Sequence, residues 1–239
     1  MLIIQKYGGN SLKTPQKIKA VAKRIVDLKK NNSLVIIVSA LGDTTDELLS
    51  LAHQVCQKPA QREIDMLIST GEQMSSSLLA MAIHSLGKKA VSLTGSQSGI
   101  VTDNFHTRAK ILAINPLRIK GLLKQGYIVV VAGFQGATLE SEITTLGRGG
   151  SDLTAVALAV ALKAKRCEIY TDVEGVYTAD PKIVPEAKRL KEINYEEMLE
   201  LSFLGAEVLQ LRCVEMAEKN NIPIYVASSF NSCKGTLIK

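Results

Sequence analysis

The sequence predicts an α/β domain: a three-layer αβα sandwich around a mainly parallel sheet. Three observations predict it. Short β-rich runs alternate with longer helical stretches along the whole chain. The apolar content is 46% but aromatics are only 4%, with no Trp, so the core rests on Leu, Ile, Val and Ala, the residues of buried parallel strands under helices. At 239 residues the chain is long enough for one large domain, or one domain of two lobes, with a full core.

The elements follow in order. Residues 2–6 read as a strand, broken by Gly8-Gly9. Residues 14–30 have helical spacing, with Ile18, Val21, Ala22, Ile25 and Leu28 on one face. Residues 34–39 form a buried strand. Residues 45–57 form a helix with Asp46 and Glu47 in its first turn, where the dipole favours acids. Residues 65–86 are helical and end at Gly87, and residues 90–94 return as a strand. Between Gly95 and Pro116 the period weakens, and strand-like pieces at 99–102 and 110–114 suggest a hairpin or lid. A short helix at 116–125 and a strong strand at 127–132 precede a glycine-rich segment, 133–150. Residues 151–165 are apolar on nearly all sides and predict a deeply buried helix. A strand at 167–172, an irregular loop to Asn194, two helices split near Gly205, a strand at 222–228 and an edge strand at 236–238 complete the chain.

Composition excludes several classes. The net charge of +6 invites a nucleic-acid reading, but the basic residues are scattered over helix faces such as 13–30 and are not interleaved with aromatics. Cys56, Cys167, Cys213 and Cys233 form no CxxC pair and no His stands beside them, so thiolate metal ligation is not expected. Residues 1–6 are too short in apolar residues for a signal peptide, and no run approaches the ~18 apolar residues of a membrane span. A soluble, cytoplasmic protein is the expectation.

Ligands of such sheets bind outside the carboxyl ends of the strands, so the loops after Lys6, Ser39, Ala132 and Asp172 carry the chemistry. The segment Lys6-Tyr7-Gly8-Gly9-Asn10-Ser11 joins a strand to a helix. It reads as a phosphate cradle with a lysine at its lip, or as a tight turn with a surface lysine. The segment from Thr144 to Asp152 runs straight into a helix. Ser151 or Asp152 can cap that helix, but three glycines and Arg148 before it exceed what a cap needs and fit an anion site. The segment from Thr171 to Lys182 carries acids, a tyrosine and a lysine, and spacing alone favours an ordinary turn there. Gly71 within a helix costs roughly 1 kcal/mol against alanine, which hints at a close approach beside Glu72, a group able to hold an ammonium. No GxxxxGK[ST] loop and no HRD or DFG set is present. His53 and His84 read as helix-surface residues, and His106 has no assigned role.

Taken in order, Lys6 to Gly9, Val38 to Thr45, Ser69 to Glu72, Gly133 to Gly136, Thr144 to Asp152 and Thr171 to Lys182 resemble the catalytic domain of the aspartate kinases, within the amino-acid kinase family. The resemblance runs from Leu2 to Leu237. It implies an amino-acid lobe over about residues 1–150 and a nucleotide lobe over about 151–239, with no ACT regulatory domain in this chain. It implies transfer of the γ-phosphoryl of ATP to the β-carboxylate of aspartate, which opens lysine, threonine and methionine synthesis. By the resemblance, Lys6 stabilises the transferred group and Asp152 orients Lys6. Arg148 holds the acceptor's α-carboxylate and Glu72 its ammonium. Ser39, Thr45, Gly149, Gly150 and Ser151 complete the acceptor site. Lys6, Tyr7, Gly8, Gly9, Thr171, Asp172, Tyr177, Asp180 and Lys182 line the nucleotide site, and Mg²⁺ arrives with ATP, held by phosphates and water. The partners implied are these small molecules, with no nucleic acid and no membrane, and a second copy or a separate regulatory subunit.

The chain departs from the family at Asn10, where Thr or Ser is usual, at Glu174 for Asp and at Lys182 for Arg, and it lacks a His-Pro pair near residues 209–212. The missing regulatory region keeps a sister kinase with another carboxylate acceptor in view, and the altered nucleotide loop a non-catalytic nucleotide-binding module.

Overall fold

The computed structural model describes residues 1–30, 32–206, 208–231 and 233–239. In chain order the elements are β1 (Leu2–Tyr7), α1 (Gly9–Leu12), α2 (Pro15–Lys29), β2 (Ser33–Val38), α3 (Thr44–Val55), α4 (Gln61–Ser85), β3 (Ala90–Leu93), β4 (Ile100–Thr102), β5 (Ile111–Ile114) and α5 (Leu117–Lys124). Then come β6 (Ile128–Ala132), β7 (Gln135–Ala137), β8 (Ile143–Thr145), α6 (Gly150–Leu162), β9 (Arg166–Thr171), β10 (Glu192–Ile193), α7 (Tyr195–Phe203), α8 (Leu211–Lys219), β11 (Ile224–Ser228) and β12 (Thr236–Ile238).

Eight strands form one sheet in the order β10-β12-β11-β9-β1-β2-β6-β3. All its pairings are parallel except β11 with β12. The β-branched runs of β2 (SLVIIV) and β6 (IVVVA) suit this position, because a central parallel strand is covered on both faces. Side chains alternate between two cores. Ile4, Val35, Ile37, Val129 and Val131 face α5, α6, α7 and α8, while Ile3, Tyr7, Leu34, Ile36 and Val130 face α2 and α4. This is the three-layer αβα sandwich the sequence predicts.

Helix boundaries follow local chemistry. Thr14 caps α2 through Lys17 N–H, with Pro15 in the first turn. Asn194 and Glu197 form a capping box on α7. Gly87, at φ 71°, stops α4 and donates to His84 O. The helix α6 is buried at every residue from Gly150 to Ala159, as its all-round apolar sequence requires. Gly71 is also explained: a Cβ there would lie 2.8 Å from Ala40 Cβ, so glycine lets α4 press on the loop after β2.

Two expectations are corrected. The segment 133–150 is not only a glycine-rich loop, because it contains the antiparallel hairpin β7–β8. That hairpin joins the antiparallel pair β4–β5 in a second sheet, β5-β4-β7-β8, which packs on α4. Strand β12 is not the edge, since β10 pairs beyond it. Among the described residues no helix is long and apolar enough to cross a membrane.

Candidate active site

Parallel register brings four strand ends to one edge. Tyr7 pairs with Val38, Val38 with Ala132, and Tyr7 with Tyr170. The chain leaves these strands in a staircase of backbone hydrogen bonds: Ser39 N–H to Tyr7 O, Gly133 N–H to Val38 O and Gly8 N–H to Tyr170 O. Lys6, Ser39, Gly133 and Thr171 are therefore neighbours along one edge, as expected for a doubly covered parallel sheet.

At the centre, Lys6 Nζ lies 2.7 Å from Asp152 Oδ1, both side chains being nearly buried. The contact is a charge pair; its angles do not make a regular hydrogen bond to that oxygen. Period-2 alternation puts Lys6 on the α6 face of β1, and Asp152 stands in the first turn of α6. Two sources of positive potential thus meet here, the ammonium of Lys6 and the N-terminal dipole end of a 13-residue helix. Ser151 and Asp152 do not cap α6. Gly149, at φ 70°, begins the helix with no side-chain cap, so the Asp152 carboxylate is spent on Lys6. Gly149 is required twice: its φ is left-handed, and a Cβ would collide with Gln210.

Glu72 stands on α4, against the loop that follows β2. It is 3% exposed; its Oε1 accepts Ala40 N–H at 3.0 Å, and among the described residues its Oε2 has no partner. Burial pushes its carboxyl up from 4.5 to about 7, against the opposing Ala40 hydrogen bond. A buried, unpartnered carboxylate oxygen is costly unless a cationic ligand meets it. Ser39 and Thr45 are half-buried on the neighbouring loop and the start of α3. Arg148 is exposed, in the turn between β8 and α6, and its side chain makes no ion pair among the described residues. Its backbone is held: Arg212 Nη2 donates to Leu146 O at 2.8 Å and to Arg148 O at 3.3 Å. Sequence reasoning missed Arg212. Its signal was a basic residue in the first turn of α8, where the dipole disfavours a cation that has no other task.

The loop from Thr171 to Lys182, which follows β9, is open. Thr171 is half-buried, and Asp172, Asp180 and Lys182 are exposed. Asp172 accepts from Asn10 Nδ2 at 3.2 Å and Thr171 Oγ1 at 3.1 Å. Partial burial would raise its carboxyl, but those donors and the Lys182 charge hold it below the usual range. Tyr177 donates to Glu174 at 3.3 Å, and Glu174 accepts from Asn231 at 2.8 Å. Asp180 accepts Lys182 N–H.

The strand ends gather Lys6, Gly8, Gly9, Ser39, Thr171 and Asp172, and α6 adds Ser151 and Asp152. Tyr7 is a correction. Its ring is fully buried on the opposite face, stacked on Tyr170 at 5.0 Å, so it offers no side chain to a nucleotide. Gly8 N–H is already taken by Tyr170 O. Gly9 is needed for space, since a Cβ there would lie 2.6 Å from Ala40 O. A groove of about 920 Å³ lies elsewhere, between α2 and strands β9 and β11.

Comparison with known proteins bears on the family and the fold. The aspartokinase of Mycolicibacterium smegmatis is 55% identical across the whole of this chain, which spans 57% of that protein. The crystal structure of aspartate kinase from Synechocystis superposes with a TM-score of 0.88 at 50% identity, covering 100% of this chain and 39% of that one. E. coli aspartokinase III in complex with aspartate and ADP superposes with a TM-score of 0.91 at 28% identity, covering 100% and 64%. The chain thus spans a little over half the length of its curated relatives. The model of the amino acid kinase family matches residues 1–228, and the chain belongs to that family.

Proposed function

We propose that this chain transfers the γ-phosphoryl group of ATP to the β-carboxylate of L-aspartate, giving 4-phospho-L-aspartate and ADP. The observation that carries the reading is the nearly buried Lys6–Asp152 pair at the meeting point of four strand ends, with the buried Glu72 carboxylate held against the loop that leaves the neighbouring strand β2. The likeness to proteins named aspartokinase supports the same reaction.

Residues 1–150 would supply the acceptor lobe and 151–239 the nucleotide lobe. Glu72 takes the acceptor ammonium and Arg148 its α-carboxylate, with Ser39, Thr45 and the backbone of Gly149 to Ser151 around them. Thr171, Asp172, Tyr177, Asp180 and Lys182 line the nucleotide, with Gly8 and Gly9 near its phosphates. A β-carboxylate oxygen attacks the γ-phosphorus, the bond to the β–γ bridging oxygen breaks, and ADP leaves with that electron pair. The nucleophile is already ionised, so no general base is needed. Catalysis is positioning plus neutralisation of two meeting anions. Lys6 supplies the fixed cation, and Asp152 sets its direction.

Mg²⁺ would supply further neutralisation of the phosphates. Among the described residues no three His, Cys, Asp or Glu side chains gather to ligate a metal. An ion arriving with ATP would be held by phosphate oxygens and water, and no residue is assigned to it.

The test is ATP-dependent acyl-phosphate formation, trapped with hydroxylamine, on aspartate beside glutamate and no acceptor. Product from aspartate alone is expected. A preference of orders of magnitude for another carboxylate would overturn the choice of acceptor, and ATP binding without product would overturn the reaction.

A further inference from the structure

A second buried carboxylate lies on the same face of α4 as Glu72. Asp65 is seven residues earlier, two turns of helix away, and its exposure is 0%. It accepts four contacts from three donors. Oδ1 takes Thr145 Oγ1 at 2.5 Å and Thr107 N–H at 3.0 Å; Oδ2 takes Thr107 N–H at 3.0 Å and lies 2.8 Å from His106 Nδ1. A carboxylate only accepts, so His106 Nδ1 carries the proton of that contact.

These donors lead to the Arg148 turn. Thr145 ends β8, three residues before Arg148. Ala109 N–H donates to Thr145 O, which lays the 103–110 loop along β8. Thr107 holds φ 65°, a left-handed conformation that a β-branched residue rarely adopts, and its N–H is shared between both Asp65 oxygens. The carbonyl of Thr107 lies 3.0 Å from where a Cβ on Gly147 would stand, so the loop abuts the residue that precedes Arg148. Arg212 grips the same turn from α8.

We propose that Asp65 is a positioning residue that fixes the Arg148 turn relative to Glu72, and so sets the distance between the two grips on the acceptor's amino and carboxylate groups. The inference rests on the acceptor roles proposed for Glu72 and Arg148. Asp65 touches no substrate; it acts through Thr145, Thr107 and His106. A carboxamide at this position cannot accept from all three donors, because one of its faces becomes an N–H₂ that opposes them.

The test pairs two readouts on Asp65→Asn, Thr145→Val and Thr145→Ser. Hydrogen exchange should show protection lost together in residues 103–110 and 146–149 for the first two variants, and kept in Thr145→Ser, which restores a hydroxyl. Steady-state kinetics should show the KM for aspartate raised about tenfold, with the KM for ATP changed less than about threefold. Unchanged exchange in folded Asp65→Asn and Thr145→Val would overturn the positioning claim. So would loosening accompanied by equal changes in both KM values, or by none. If wild-type protein makes no acyl phosphate from aspartate, the functional reading fails; the exchange data then decide the clamp, and an equilibrium titration of the preferred acceptor decides its effect on binding. Should Asp65→Asn not fold, the two Thr145 variants carry both readouts.

Discussion

The two ends of the site are built differently. At the proposed acceptor end, Glu72 and Asp65 are buried, and hydrogen bonds tie α4 to the second sheet (Gln135 Nε2 donates to Ser69 O, and Thr145 to Asp65) and to the loop after β2 (Ala40 N–H donates to Glu72). At the proposed nucleotide end, Asp172, Asp180 and Lys182 are exposed, and their contacts are mostly to neighbours in the same loop. Buried polar nets are rigid when satisfied, while exposed hydrogen bonds compete with water. On the proposed roles, the difference predicts an acceptor pocket formed in advance and a 171–182 loop that takes its final shape around a ligand. Lys6 and Asp152 stand where the two ends meet.

The largest effect should come from that meeting point. Lys6→Ala removes the fixed cation and leaves Asp152 without its ion partner, so turnover should fall about 10²–10³-fold. Calorimetry should find aspartate binding nearly unchanged, because Lys6 belongs to neither acceptor grip. Lost aspartate binding in a folded variant would merge the two ends and break the contrast.

Glu72→Gln sharpens the acceptor end. The amide keeps an oxygen for Ala40 N–H but loses the charge that faces the ammonium, so aspartate affinity should drop about tenfold or more. Stability should move the other way. The folded carboxyl titrates near 7 against 4.5 when free, so the folded state holds an extra proton between those values. Wild-type stability therefore falls as pH rises through that window, by roughly 3 kcal/mol in all, and stays low above it. Thermal melts should show Glu72→Gln gaining on wild type from pH 5 to pH 8; a constant difference would contradict the buried charge.

The smallest effects belong to the open loop. Tyr177→Phe loses one long hydrogen bond to Glu174, and the KM for ATP should change less than about threefold. A tenfold change would mean that this loop is already in its working shape.

Much of this contrast was legible in the sequence. The aliphatic runs of β1, β2 and β6 fixed a covered parallel sheet, and its strand ends pointed to Lys6, Ser39 and Thr171. A glycine within α4 announced the contact with Ala40 that brings Glu72 to the edge. The hairpin β7–β8 was not legible, because three-residue strands reading QGA and ITT carry no alternation of apolar and polar residues. Tyr7 was misjudged although period-2 alternation sets it opposite Lys6. The roles of Asp65 and Arg212 depend on partners 80 and 66 residues away, which spacing along the chain does not reveal.

The most direct test of an acceptor pocket formed in advance is calorimetric titration of aspartate into nucleotide-free protein at pH 6 and pH 8. Saturable binding is predicted without nucleotide, about tenfold tighter at pH 8, since a group titrating near 7 is mostly protonated at the lower pH and mostly ionised at the higher. Binding that appears only after nucleotide is added, or that ignores pH, would contradict it.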